Sequence, residues 1–186
     1  MRLLFDRIES PIGTIVIVSD GTNLCVLEFG DYDERMKSLL RSRYGDFHFV
    51  ETDDPQGFSS RMRDYLAGNL HSLDIIPVEA GGTPFQRRVW SELRKIPVGT
   101  TTSYGQLAAT LGMPSASRAV GLANYLNPVA IVVPCHRVIG ANGKLTGYAG
   151  GLHRKRWLLE HEGVCLPTDP DLPSALSPKQ LKFNWA

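Results

Sequence analysis

Two short segments, Thr83-Pro84-Phe85-Gln86 and Ser103-Tyr104-Gly105-Gln106, each set a hydroxyl residue three positions ahead of a glutamine. That spacing lets the hydroxyl accept the N–H of the third helical residue while the glutamine side chain reaches back to the N–H of the hydroxyl residue itself. Each segment therefore fixes a helix start. Pro84 suits the first helical position because its missing N–H would be unpaired there anyway. Phe85, Val89 and Leu93 then recur every four residues as one apolar face, with Arg87, Arg88, Arg94 and Lys95 on the others. The second helix carries Leu107, Ala108 and Leu111 as its buried stripe, and Gly112 stops it. After the turn at Met113-Pro114, a third helix is predicted from about Ser115 to Leu126. It buries Val120 and Ala123, keeps its surface small at Ala116, Ala119 and Gly121, and ends before Pro128. Two short helices joined tightly, the second with Arg118 near its start, have the outline of a helix-turn-helix.

The first 80 residues have a different texture. Ser10-Pro11-Ile12-Gly13 is a turn ahead of the β-branched run Thr14 to Val18, and Asp20-Gly21 leads into a second strand from Leu24 to Phe29. This pair is expected to be antiparallel. Met36, Leu39 and Leu40 mark a short helix, Phe47 to Val50 a further strand, and Phe58, Met62, Tyr65 and Leu66 a second helix ending near Gly68. Gly81-Gly82 breaks the pattern. The expected fold is α+β: a small mixed domain with an antiparallel sheet over residues 1–80, a helix-turn-helix or winged-helix-like domain over 81–163, and a tail over 164–186. Four prolines make that tail irregular in expectation, with Phe183 and Trp185 able to dock on the body.

Charge divides at the same point. Residues 1–80 hold 8 Lys/Arg against 14 Asp/Glu, a net −6, whereas residues 81–186 hold 12 against 5, a net +7. The basic half fits either a phosphate-backbone partner or an internal interface with the acidic half. The longest apolar run, Val129 to Val133, is far short of the roughly 18 residues a spanning helix requires. Charges at Asp6, Arg7 and Glu9 also break any N-terminal apolar signal, so a cytoplasmic protein is expected. Three cysteines, an odd number without Cys-x-x-Cys pairing, point to free thiols. The five histidines lack zinc-ligand spacing, and no metal or cofactor is expected.

One of these thiols has chemical company. Val129 to Val133 reads as a buried strand leading to Pro134-Cys135-His136-Arg137, which sets a cysteine on fixed backbone beside an imidazole and a cation. A small buried core residue is the other reading of Cys135. Successive residues of an extended chain point to opposite sides, so His136 would reach the thiol through a water. Glu162, at the end of the final helix that carries Trp157, Leu158 and Leu159, could orient that imidazole or simply lie on the surface.

The segment from Asn127 to Gly140, NPVAIVVPCHRVIG, resembles the active-site signature of the O6-alkylguanine-DNA alkyltransferases (methylated-DNA–protein-cysteine methyltransferases), specifically their bacterial Ogt-type members. The resemblance extends through Ser103 to Ala108, Arg118 to Gly121, Thr146 to Gly151 and Trp157 to Gly163. It implies a ribonuclease H-like N-terminal domain and a single-turnover enzyme that moves an alkyl group irreversibly from O6-alkylguanine, and from O4-alkylthymine, in double-stranded DNA to Cys135. It further implies that His136, through a water and oriented by Glu162, accepts the thiol proton. Tyr104 would help turn the nucleotide out and assist protonation of the departing guanine. Arg118 would fill the vacated stack, and Ser103, Ala119 and Gly121 would lie against the minor groove. Asn127 would hold the hinge, the carbonyls of Cys135 and Val138 and the amide of Ala149 would read the base, and Tyr148 and Lys155 would flank the pocket. No membrane and no obligate protein partner are implied. The chain departs from many relatives at Tyr125-Leu126, where a glycine commonly precedes the hinge asparagine. It departs from some at Ala130, in place of a second proline.

Three other functions compete on sequence grounds: a non-catalytic lesion binder, against which Cys135 argues; a transcription regulator, which leaves Cys135, His136, Tyr104 and Glu162 unexplained; and a cysteine hydrolase, which would turn over repeatedly.

Overall fold

The computed structural model describes residues 1–30 and 33–167. The expectations for Phe183 and Trp185 lie outside the described residues. The N-terminal half is built on a four-stranded sheet in the order β3-β2-β1-β4, with β1 over Arg2–Ile8, β2 over Ile15–Ser19, β3 over Leu24–Phe29 and β4 over His48–Glu51. β1, β2 and β3 run antiparallel through two tight turns, as the turn residues require. β4 instead pairs parallel to β1, Arg2 opposite His48. Helix α1 (Asp33–Tyr44) precedes β4, and α2 (Phe58–Leu66) follows it.

Both faces of this sheet are covered, which explains why β2 and β3 are buried along their whole length and mostly apolar rather than alternating. Leu3, Phe5, Val16, Val18 and Val26 pack with Met36 and Leu40 of α1. Ile15, Ile17, Leu24, Leu27 and Phe29 face Phe58, Met62 and Tyr65 of α2 and continue into the second half as one core reaching Leu158.

The second half comprises α3 (Pro84–Leu93), β5 (Thr102–Ser103), α4 (Tyr104–Thr110), α5 (Ser117–Tyr125), β6 (Val138–Ile139) and α6 (Leu152–His161). Both capping boxes form: Gln86 N–H donates to Thr83 Oγ1 at 3.2 Å and Gln106 N–H to Ser103 Oγ at 3.1 Å, with both glutamine side chains reaching back. α4 and α5 make the helix-turn-helix, and α3 braces it through Trp90 Nε1, which donates to Ala123 O at 2.9 Å. Gly82 has to be glycine: a Cβ there would lie 2.7 Å from the Trp90 ring, at a φ of 80°.

Several cations of the basic half are spent internally. Arg94 donates to Asp74 O and Ile76 O, Arg154 to Ile12 O, and Arg88 to Leu111 O. Arg94 and Arg154 thereby tie the second half to backbone carbonyls of the first, whereas Arg88 works within the second. Among the described residues, no helix is long and apolar enough to cross a membrane.

Candidate active site

Val129 to Val133 is buried as expected but is not a strand. Only Val129 bridges to the sheet, beside Leu27, and the chain then turns on itself through Val133 N–H to Val129 O at 2.9 Å. Ile131 has a φ of 69°, a left-handed conformation that a β-branched residue adopts only under constraint. The constraint is the side chain of Asn127. Its Oδ1 accepts from Val129 N–H at 3.0 Å, while Nδ2 donates to Val133 O at 2.8 Å and to Cys135 Sγ at 3.2 Å. Periodicity alone could not reveal this, because a short apolar run reads alike as buried strand or buried turn.

Cys135 opens a single 3-10 turn, Cys135–Arg137, and is only 7% exposed. Burial pushes its thiol pKa up, opposed by the Asn127 hydrogen bond and the Lys155 charge. His136 is fully buried and its Nε2 lies 2.9 Å from Glu162 Oε1. Because a carboxylate only accepts, Nε2 carries the proton and Nδ1 is the free acceptor; Nδ1 is buried with no partner among the described residues. Burial depresses the His136 pKa against the pull of Glu162. Both shifts favour the uncharged forms, a protonated thiol and a neutral imidazole on successive residues.

Glu162 is far from a loose surface group. Arg137 grips both its oxygens, Nε to Oε2 at 2.8 Å and Nη2 to Oε1 at 2.9 Å, and Tyr65 OH donates to Oε1 at 2.8 Å. Burial alone would raise this carboxyl's pKa, but His136 and Arg137 outweigh it and hold it well below the usual range.

The two-stranded β5-β6 sheet brings the remaining residues in. β6 follows the cysteine turn directly and pairs parallel to β5, whose last residue, Ser103, caps α4, so Tyr104 starts its helix beside the site. Tyr104 OH donates toward the carbonyls of Thr146 and Gly147, at 3.1 and 3.2 Å. Lys155 Nζ donates to Val138 O at 2.5 Å and Thr146 O at 2.8 Å and lies 5.8 Å from the Tyr104 ring centroid. Burial pulls its pKa down to about 8, against the attraction of Cys135. Tyr148 is half-buried, with its hydroxyl buried and unpartnered among the described residues and its ring edge-on to Phe29. Ala149 is half-buried beside it, and the loop closes at Gly150, where a Cβ would come within 2.5 Å of Phe29. Arg118 and Ala119 stand exposed on α5, with Gly121 half-buried one turn on. Arg118 makes no hydrogen bond or ion pair with any described residue.

Four contributors were not singled out from sequence as site residues. Tyr65 comes from α2, 97 positions before Glu162. Arg137 was visible only as a nearby charge. Arg35 of α1 donates to Tyr125 O at 2.7 Å, tying the sheet half to the end of α5, and pairs with buried Glu28 at 3.2 Å. Nothing local to Arg35, Glu28 or Tyr65 announces a partner so distant in sequence.

Comparison with known proteins gives this arrangement its relatives. Residues 3–80 match the family model for the 6-O-methylguanine DNA methyltransferase ribonuclease-like domain, and residues 84–164 that for its DNA binding domain. Over 169 residues the chain is 52% identical to a methylated-DNA--protein-cysteine methyltransferase of Salmonella typhimurium and 50% identical to one of Shigella flexneri. Each alignment covers 89% of this chain and 99% of the relative. The crystal structure of Mycobacterium tuberculosis OGT in complex with DNA is 40% identical, with a TM-score of 0.71 over 87% of this chain and 92% of that one. With both halves matched in order and nearly the whole length aligned, the chain belongs to the 6-O-methylguanine DNA methyltransferase family.

Proposed function

We propose that this chain repairs double-stranded DNA directly, taking the alkyl group from O6-alkylguanine, and from O4-alkylthymine, onto Cys135 Sγ once and irreversibly. The observation that carries the reading is the cysteine's company: a buried thiol whose next residue is a buried imidazole, one nitrogen held by a buried carboxylate and the other without a partner among the described residues. In the step, Sγ attacks the alkyl carbon, the carbon–O6 bond breaks, and its electron pair stays with the guanine. The thiol proton passes through a water to His136 Nδ1, Glu162 stabilises the resulting imidazolium, and the departing base takes up a proton with Tyr104 beside it. A thioether is inert to ordinary reductants, so the reacted chain is spent. No cofactor enters this scheme.

The target oxygen lies inside a base pair, so the nucleotide has to leave the stack, at a cost of a few kcal/mol that a damaged pair lessens. Arg118, free and exposed, fills the gap from α5, while Ser103, Ala119 and Gly121 let the helix pair sit close in the minor groove, where little sequence code is available. Asn127 holds the hinge between α5 and the cysteine turn. The Cys135 and Val138 carbonyls and the Ala149 amide contact the base, between Tyr148 and the Lys155 side. The protein works in the cytoplasm, without an obligate protein partner, and its division into residues 1–80, 81–163 and a tail from 164 separates a supporting domain from the reacting one.

Counting transfers tests the reading: one per chain is expected, and repeated turnover would overturn it. Arg118→Ala is expected to slow transfer from duplex by about tenfold to a hundredfold, each tenfold corresponding to roughly 1.4 kcal/mol, and to change transfer from free O6-methylguanine little. Equal losses on the two substrates would contradict a role in extrusion.

A further inference from the structure

We propose that Tyr65, a residue of the sheet half, is a positioning residue for the transfer: its hydroxyl fixes Glu162 and sets how strongly that carboxylate draws on His136. The proposal rests on the alkyl-transfer reading for its kinetic consequence but not for its structural one. Glu162 Oε1 accepts three donors, Tyr65 OH at 2.8 Å, His136 Nε2 at 2.9 Å and Arg137 Nη2 at 2.9 Å, whereas Oε2 accepts Arg137 Nε at 2.8 Å. Tyr65 and His136 thus compete for electron density on a single oxygen. Each donor that oxygen gains weakens its hold on the next, so the hydroxyl tempers the stabilisation available to an imidazolium at His136.

The contact is built rather than incidental. Tyr65 is 1% exposed. Its carbonyl accepts from His161 Nε2 at 2.7 Å, and its ring meets the His161 ring edge-on at 5.2 Å. His161 is in turn stacked on Trp157 at 4.7 Å. The last turn of α6 therefore clamps the backbone of Tyr65, while the side chain of Tyr65 clamps the residue that follows α6. Burial and the neighbouring Glu162 charge push the phenol pKa far up, so it is a donor throughout the working pH range. Among the described residues, the other charged or titratable groups facing the pair are Arg137, which bonds both carboxylate oxygens, Lys155, which acts on His136 through its charge, His161, and Tyr148, whose buried phenol feels Tyr65.

The test is Tyr65→Phe in the full chain, which keeps the ring and its packing and deletes only the donor. With two donors left on Oε1, His136 becomes more basic. The acid limb of the rate–pH profile for single-turnover transfer should then move to higher pH by about half a unit to one unit. In the unreacted variant, the His136 Nε2 proton should move downfield in the NMR spectrum as its bond to Glu162 strengthens. A lowered melting temperature with an unmoved pH limb and an unmoved Nε2 proton would make Tyr65 purely structural and overturn the proposal. The parent protein offers an independent check: a slowly exchanging Tyr65 hydroxyl proton with a cross-peak to the His136 Nε2 proton is expected, and its absence would overturn the proposal even if the variant did not fold. The two NMR measurements hold whether or not the chain transfers alkyl groups. Failure of the parent to transfer would therefore count against the function and not against Tyr65.

Discussion

Arg137→Ala is expected to destabilise the folded chain by about 3–5 kcal/mol, a fall of roughly 6–20 °C in melting temperature. Arg137 is 8% exposed and makes two charge-assisted bonds to Glu162, a carboxylate that is itself 4% exposed. Its Nη1 also satisfies Ile96 O at 2.6 Å. Removing the guanidinium leaves a buried negative charge with only His136 and Tyr65 to hold it, and leaves a carbonyl short of its donor. The pH dependence has a definite sign. Glu162 has a depressed pKa when folded, so its contribution is present above the unfolded carboxylate value of about 4.3 and is lost as pH falls toward the folded one. The variant depresses it less, so the gap between parent and variant should be widest near neutral pH and narrow below about pH 4. Urea unfolding at both pH values measures it. A loss below about 1 kcal/mol at neutral pH would show that the pair contributes no more than an exposed salt bridge.

The second large effect is on the spent protein. Methylated Cys135 is expected to lower the melting temperature by roughly 4–16 °C, from about 1–3 kcal/mol of overpacking and about 1 kcal/mol for a weakened hydrogen bond. The sulfur is nearly enclosed, and Asn127 Nδ2 sits 3.2 Å from it. That amide cannot retreat freely, because it also holds Val133 O, and its Oδ1 holds Val129 N–H. Those bonds keep Ile131 in its left-handed conformation, so displacing the amide loosens a turn already under strain. Asn127 N–H is bonded to Asn124 O at 3.2 Å, one residue before the end of α5, so the same displacement reaches the recognition helix. DNA affinity should fall with stability. Thermal unfolding of unmodified and fully methylated protein in one buffer tests this, and an unchanged or higher melting temperature for the methylated form would mean that the pocket absorbs the product.

What could be read ahead of the structure follows the range of the interactions involved. The capping boxes, Gly112 and the antiparallel β2-β3 pair are set by residues within a few positions of one another, and α3, α4 and β3 begin where those residues place them. The helix-turn-helix follows from the same local signals. β4 is legible as a strand from Phe47 to Val50, but β1 and its pairing with β4 were out of reach, because parallel pairing joins Arg2 to His48 across a helix with no turn residue to mark it. The reactive cluster divides in the same way. Cys135, His136 and Arg137 are contiguous, and Glu162 ends a legible helix, but Tyr65 and Arg35 reach their partners from 97 and 90 positions away. The turn at Val129 to Val133 failed for another reason: an apolar run reports burial, whereas a side-chain carboxamide decides its shape.

The central claim is that one sulfur is the acceptor, and three cysteines make it a decidable one. Cys25 is buried in β3 with its Sγ 3.1 Å from Tyr44 OH, Cys165 is exposed beyond α6, and Cys135 alone is followed in the chain by a histidine held on a buried carboxylate. The most direct measurement is intact-protein mass spectrometry followed by peptide mapping, after exposure of the parent and Cys135→Ser to excess duplex containing O6-methylguanine. The account predicts one methyl per parent chain, all of it on the peptide carrying Cys135, and none on a Cys135→Ser chain that still binds the duplex. A methyl on Cys25 or Cys165, or a Cys135→Ser chain that still gains one, would contradict it.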